Sequence, residues 1–131
     1  EVYCKIEMKG LNPFFGFIHR DAEKHPTLAS DLMEEWRAII VDATVMSMIN
    51  GHEIAKDGFI CNEDRPGCYM TKNGLKVYLN KLERKFQTEV RYLKYIDYPV
   101  SFRRGIFLQM ESLAKAIEEG DAELYEPIII R

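Results

Sequence analysis

The sequence has no long uncharged apolar run, which excludes a membrane-spanning helix, and no basic, apolar and small-residue succession of the kind that marks a secretory leader. Only three of its 131 residues are cysteine, Cys4, Cys61 and Cys68. The number is odd and C-x-x-C spacing is absent, so neither a disulfide framework nor a zinc knuckle is expected; the pattern predicts free or buried thiols in a reducing, cytoplasmic setting. Cys61 and Cys68 nevertheless flank a polar, turn-rich stretch, Asn62 to Gly67, that could bring them together. There is no internal repeat, linker or low-complexity tract. G-x-x-x-x-G-K-[ST] and G-x-S-x-G are missing, which removes the P-loop and nucleophile-elbow chemistries. His52-Glu53 lacks the second histidine of H-E-x-x-H, and no adjacent His-Asp pair of the phosphohydrolase type occurs.

What is present is a chain with 47% hydrophobic residues, enough for a core, and helical periodicity almost throughout. The expected architecture is all-α, one compact multi-helix domain over residues 1–131. Glu1 to Lys9 reads as the last turns of a helix. Gly10 supplies the positive φ that ends it, and Pro13 pushes Asn12 out of helical space, so the chain turns at 10–13. Phe14, Phe15, Phe17 and Ile18 around Gly16 then read as apolar anchors that hold His19 among packed neighbours. Pro26 and Thr27 read as a helix start with Thr27 as N-cap, and no Gly or Pro interrupts the run from Leu28 to Asn50.

At 100° per residue Leu28, Leu32, Trp36, Ile39, Ala43 and Met46 share one stripe of that helix. Asp31 and Glu34 lie on a neighbouring face that continues through Ala38, Val41, Val45 and Ile49. Spacing i, i+3 points the two carboxylates to the same side. Carboxylates where water is scarce require a cation, a basic side chain or a hydrogen-bond network. A histidine beside helical carboxylates is the material of a metal site; it is equally the material of a hydrogen-bonded histidine and of acidic residues complementing a helix dipole.

Charge is unevenly placed. Residues 1–70 hold 7 Lys and Arg against 12 Asp and Glu, net −5; residues 71–94 hold 7 against 2, net +5; residues 95–131 hold 4 against 7, net −3. The basic block coincides with an expected helix whose apolar stripe is Leu75, Leu79, Leu82, Phe86 and Leu93, with Lys76, Lys81, Arg84, Lys85, Arg91 and Lys94 on the remaining surface. That surface suits either water or DNA phosphate, and Arg103 and Arg104 extend it. A further helix is expected from near Ser101 to Glu119, with Phe102, Ile106, Met110 or Gln109, Leu113 and Ile117 at core spacing and Gly120 as its stop. A turn over Asp121 to Tyr125 and an extended Ile128 to Ile130 follow, and Gly58 to Met70 leaves room for a short extended piece.

Gly10-Leu11-Asn12-Pro13-Phe14-Phe15-Gly16-Phe17-Ile18-His19, with Leu28 and then Asp31-Leu32-Met33-Glu34-Glu35-Trp36-Arg37, resembles the C-terminal helical catalytic domain of the CRISPR-associated integrase family, which acts in spacer acquisition. Met70-Thr71 with Gly74, Ser101-Phe102-Arg103-Arg104 with Gln109, and Tyr125-Glu126-Pro127 with Arg131 resemble later landmarks in the same order. Phe102 departs from a position where the family commonly has tyrosine.

The resemblance implies metal-dependent DNA endonuclease and integrase chemistry with Mg²⁺ or Mn²⁺. It places the metal-binding histidine on His19, the helical acidic ligand on Glu34, Asp31 as a neighbouring acidic residue of the catalytic set, and Arg37 at a position that can face DNA phosphate. Lys76, Arg84, Arg103 and Arg104 are the further DNA-binding candidates. The implied partners are double-stranded DNA with exposed ends, the CRISPR repeat, a second copy in a homodimer, and a small adaptor dimer. The family's third ligand, a glutamate on an earlier helix, has no counterpart in this sequence, and its start without methionine in mid-helix implies a fragment that lacks an N-terminal β domain and is weakly active alone. The rival expectations are a non-catalytic helical scaffold or DNA-binding module, in which Asp31, Glu34 and Arg37 form an ion-pair network, and a degenerate member kept for assembly.

Overall fold

A computed structural model describes residues 1–20, 24–61, 66–91 and 96–128. They are predominantly helical, with two short antiparallel strand pairs. The chain is organised as two compact units, residues 1–37 with 87–131, and residues 38–86. No described helix is long and apolar enough to cross a membrane.

The first unit is built on three helices. Helix α1 (Val2–Met8) buries Val2 and Ile6 and ends as its sequence dictates: Gly10 adopts φ 73°, and the Leu11 amide reaches back to the Ile6 carbonyl at 3.2 Å. Helix α2 (Thr27–Trp36) buries Leu28, Ala29, Leu32 and Trp36. Helix α5 (Phe102–Glu119) opens on Ser101, whose hydroxyl accepts the Arg104 amide, and closes on Gly120 at φ 66°. Its buried face comprises Phe102, Ile106, both Gln109 and Met110, Leu113, Ala114 and Ala116, whereas Ile117 is exposed.

Trp36 is the keystone of this unit. Its ring meets Phe102 edge to face at 6.1 Å, and its indole N–H donates to the buried Gln109 amide oxygen at 2.7 Å. Gly105 lies so close that a Cβ there would stand 2.8 Å from Trp36 Cη2. Across the α1–α5 contact, Lys9 pairs with Glu111 at 2.9 Å, and Lys5, Lys9 and Arg104 each sit about 5 Å from the Phe107 ring centroid. Strands β3 (Glu89–Val90) and β4 (Val100–Ser101) pair ahead of α5.

The long helix from Thr27 is continuous to Asn50, but a π-helical turn (Arg37–Asp42) separates α2 from α3 (Ala43–Asn50). This turn shifts the expected buried stripe. Burial follows Leu28, Leu32, Trp36, Ile40, Thr44 and Met48, steps of four, while Met46 is exposed. Steps of four drift around a regular α-helix, and the wider π turn takes up the drift. The Thr44 hydroxyl donates to the Ile40 carbonyl at this point.

In the second unit α3 is followed by a 3₁₀ turn (Lys56–Gly58), the hairpin β1 (Phe59–Cys61) and β2 (Cys68–Met70), and α4 (Lys72–Gln87). Cys61 and Cys68 face each other across the hairpin, Cα to Cα 4.3 Å, and form a disulfide. The expectation of free thiols fails for this pair because the antiparallel register sets Cys61 directly opposite Cys68; Cys4 is a free, exposed thiol. Helix α4 ends at Gln87, short of the expected residue 94, because Glu89 and Val90 are drawn into strand pairing. Leu93, Lys94, Ile129, Ile130 and Arg131 lie outside the described residues. The apolar stripe of α4 is not a buried one: Leu75 and Leu79 are exposed, and only Gly74 is buried, against the Gly58 carbonyl and Ile54.

Candidate functional site

The loop that carries His19 is held to the first turns of α2 by polar groups. Pro13 is buried and its carbonyl accepts the Leu28 amide at 3.0 Å. The Thr27 hydroxyl, wholly buried, donates to the Phe14 carbonyl at 2.7 Å and accepts the Gly16 amide at 2.9 Å. One helical turn later Asp31 accepts the amides of Phe17 at 2.5 Å, Ile18 at 2.9 Å and His19 at 3.0 Å. Gly16 lies between these two side chains, where a Cβ would stand 2.7 Å from Asp31 Oδ2 and 2.8 Å from Thr27 Cβ.

Two expectations are thereby corrected. Thr27 is not an N-cap, because its hydroxyl faces the preceding loop; Pro26 precedes the helix without a side-chain cap. Phe14, Phe15, Phe17 and Ile18 are not buried anchors but exposed, Ile18 by 80%. The loop is fixed through its backbone, so its side chains are left to the solvent.

The His19 imidazole is bonded through Nδ1 to Asp31 Oδ1. Burial acts to raise the Asp31 pKa, but the amides of Ile18, Phe17 and His19 and the His19 ring outweigh it and hold the carboxyl at about 2, below its ordinary 3.8. Asp31 is therefore an anion at neutral pH and can only accept. Nδ1 carries the proton, and Nε2 is the ring nitrogen that Asp31 does not engage. Four donors already engage the two oxygens of Asp31, which makes it an orienting group rather than an open ligand.

Glu34, one residue short of a further turn along α2, is exposed and pairs with Arg37 Nη1 at 3.3 Å. Arg103 pairs with Glu1 at 3.3 Å, and Arg104 is exposed beside Phe107. In the other unit Lys76 and Arg84 are exposed on α4. The structure thus brings His19 and Asp31 into contact and Glu34 and Arg37 into contact.

Reading the sequence missed three participants. His25 lies with its ring 6.4 Å from that of His19 and its Nε2 3.1 Å from the Ser30 hydroxyl. Thr27 does begin α2, but its hydroxyl serves the loop instead of capping the helix. Glu35 anchors the C-terminal segment: the Tyr125 hydroxyl donates to one carboxylate oxygen and the Ile128 amide to the other at 2.9 Å, while Gln109 Nε2 donates to the Tyr125 oxygen at 3.0 Å. With Trp36 bonded to Gln109, these residues form one relay from α2 through α5 to the chain's last described residue. Beside it Phe17, Leu32, Leu113, Ile117 and Tyr125 line an apolar groove of about 470 Å³.

The donor types here, one imidazole nitrogen and one exposed carboxylate, suit Mn²⁺ or Mg²⁺ in kind. They fall short in number: among the described residues no three His, Cys, Asp or Glu side chains converge as a metal cluster.

Comparison with known proteins gives a consistent result. Residues 1–84 match the family described as CRISPR associated protein Cas1. The chain is similar to the CRISPR-associated endonuclease Cas1 of Mycobacterium tuberculosis, 34% identical over 115 residues, which are 88% of this chain and 34% of that protein. It therefore spans about a third of the length of this curated relative. In fold it is similar to a casposase bound to integration product, with a TM-score of 0.84 and 24% identity over 99% of this chain and 37% of that one. It is similar also to a Cas1 protein from Thermotoga maritima, with a TM-score of 0.75 and 20% identity over 89% of this chain and 35% of that one.

Proposed function

The chain belongs to the Cas1 family of CRISPR-associated proteins, and on that premise we propose that it forms part of a metal-dependent DNA endonuclease and integrase that inserts new spacers into CRISPR arrays by phosphoryl transfer. The observation that carries this reading is the bond of His19 Nδ1 to Asp31, which leaves Nε2 as the ring nitrogen not engaged by the carboxylate, on a loop held to the helix that also carries the exposed Glu34. His19 and Glu34 are the ligands in this reading, and Asp31 orients His19.

A bound Mg²⁺ or Mn²⁺ would supply a Lewis acid at the scissile phosphate. The chain's own residues do the rest. Asp31 keeps the proton on Nδ1, so the Nε2 lone pair would be the end of the ring that holds a metal. Glu34 would be a carboxylate ligand of that metal, and Arg37, its ion-pair partner in this structure, would be placed to contact a phosphate oxygen. Lys76, Arg84, Arg103 and Arg104 are proposed to contact the DNA backbone, which would make binding salt-dependent and largely indifferent to sequence. The casposase of similar fold was solved on its integration product, which supports DNA as the substrate class. The remaining partners in this reading are duplex DNA with exposed ends, the CRISPR repeat, a second copy in a homodimer, and a small adaptor dimer.

The Glu34–Arg37 ion pair favours a second reading, a non-catalytic DNA-binding scaffold in which the acidic residues serve only local pairing. The two are separated by Mn²⁺-dependent cleavage and spacer-end joining in wild type, His19→Ala and Glu34→Ala. The first reading expects both variants to lose at least 100-fold in turnover with DNA binding retained; the scaffold reading expects all three to bind DNA with no turnover, and equal, measurable turnover in all three removes His19 and Glu34 from the site.

A further inference from the structure

We propose that Thr27 is a positioning residue for His19, acting through the backbone of residues 14–16. The proposal builds on the reading of His19 as a ligand, and it rests on a division of labour between two side chains one turn apart on α2. Asp31 bonds the amides of residues 17–19 and the His19 ring. Taken alone, those bonds fix the end of the loop but leave the loop free to pivot about Asp31. Thr27 removes that freedom. Its single hydroxyl donates to the Phe14 carbonyl and accepts the Gly16 amide, closing both backbone groups on one oxygen.

Gly16 makes this double contact possible. Its Cα lies where a methyl would collide with both Thr27 and Asp31, so the strand of loop is pressed onto the helix between them. The side chains of Phe14, Phe15, Phe17 and Ile18 are exposed and do not secure the turn by burial. Directional bonds must do so, and with Thr27 wholly buried its hydroxyl has no water to substitute for the loop. Serine would preserve the oxygen; valine would preserve the shape and remove it.

The test compares Thr27→Val and Thr27→Ser with wild-type protein. Two readouts are used: the His19 Nδ1 proton observed by NMR on imidazole-labelled protein, and Mn²⁺ affinity by titration. Thr27→Val is expected to lose the slowly exchanging ring proton and to weaken Mn²⁺ binding by about 10- to 100-fold, the range seen when groups supporting a metal ligand are removed. Thr27→Ser is expected to retain both. An unchanged ring proton in Thr27→Val overturns the proposal, and so does a serine variant as impaired as the valine one, since that would assign the effect to the methyl group. Should Thr27→Val not fold, amide exchange in wild type decides: the Gly16 amide must be protected as strongly as those of Phe17 to His19, and free exchange at Gly16 overturns the proposal. Failure of the ligand reading is separately visible as a His19→Ala variant with undiminished Mn²⁺ affinity, in which case the ring proton alone reports on Thr27.

Discussion

His19 bonds to Asp31 twice, through its backbone amide at 3.0 Å and through its imidazole Nδ1, and both bonds end on the same carboxylate oxygen. The backbone and the ring of the histidine are therefore tied to one group. That group titrates at about 2 in the fold, against 3.8 in an ordinary carboxyl. A depressed folded value means that the stabilisation is complete above about pH 4 and is lost as pH falls towards 2. We expect acid unfolding, followed by circular dichroism, to show this loss in wild type. Asp31→Asn should be less stable than wild type at pH 7 and should show a correspondingly smaller loss between pH 4 and 2.

The Cys61–Cys68 disulfide closes a short hairpin. For a loop of this size the chain-entropy account gives about 2.5 kcal/mol. Reductant should therefore lower the denaturation midpoint of the wild-type protein, while Cys61→Ser/Cys68→Ser should start at the lower value and respond to reductant not at all. Cys4 does not contribute to this difference, and Cys4→Ser should behave as wild type.

Gly105 offers a test of packing against propensity. Alanine within a helix ordinarily gains close to 1 kcal/mol over glycine, but here the added methyl meets Trp36 Cη2 at 2.8 Å. Because the indole is held by Phe102 and by its bond to Gln109, it has little room to yield. Gly105→Ala should therefore destabilise by about 1–3 kcal/mol, measured by urea denaturation. A stabilised variant would mean that Trp36 is not fixed as described.

Tyr125→Phe removes one oxygen that serves two partners, Glu35 and the wholly buried Gln109. An unmatched buried donor costs about 2 kcal/mol, so the variant should unfold at lower denaturant by a corresponding amount. Glu126→Gln, next to it and exposed, should stay within about 0.5 kcal/mol of wild type.

The helices were legible in the sequence because local rules govern their ends. Gly10 and Gly120 adopt the left-handed conformations that stop α1 and α5, and Ser101 caps α5. The grouping of His19 with helical carboxylates was less legible, since residue types and spacing fitted a hydrogen-bonded histidine and helix-dipole acids equally well, and it was the family resemblance that placed them in one site. Three features were not legible. The π turn at Arg37–Asp42 has no composition of its own, and it moved burial from Met46 to Met48. Thr27 carries the residue type of an N-cap, yet a buried hydroxyl goes wherever two backbone groups need it. The phenylalanines around Gly16 carry the residue type of a core; their exposure follows from tertiary hydrogen bonds made by the backbone beneath them, which hydrophobic patterning does not register.

Residues 14–19 combine properties that seldom occur together, side chains open to water on a backbone bonded at Phe14, Gly16, Phe17, Ile18 and His19. Conformational entropy of the main chain there is already lost when the protein folds. A ligand arriving at this surface would have only side-chain rotamers left to order, so more of its contact energy would appear as affinity than on a loop that stiffens upon binding.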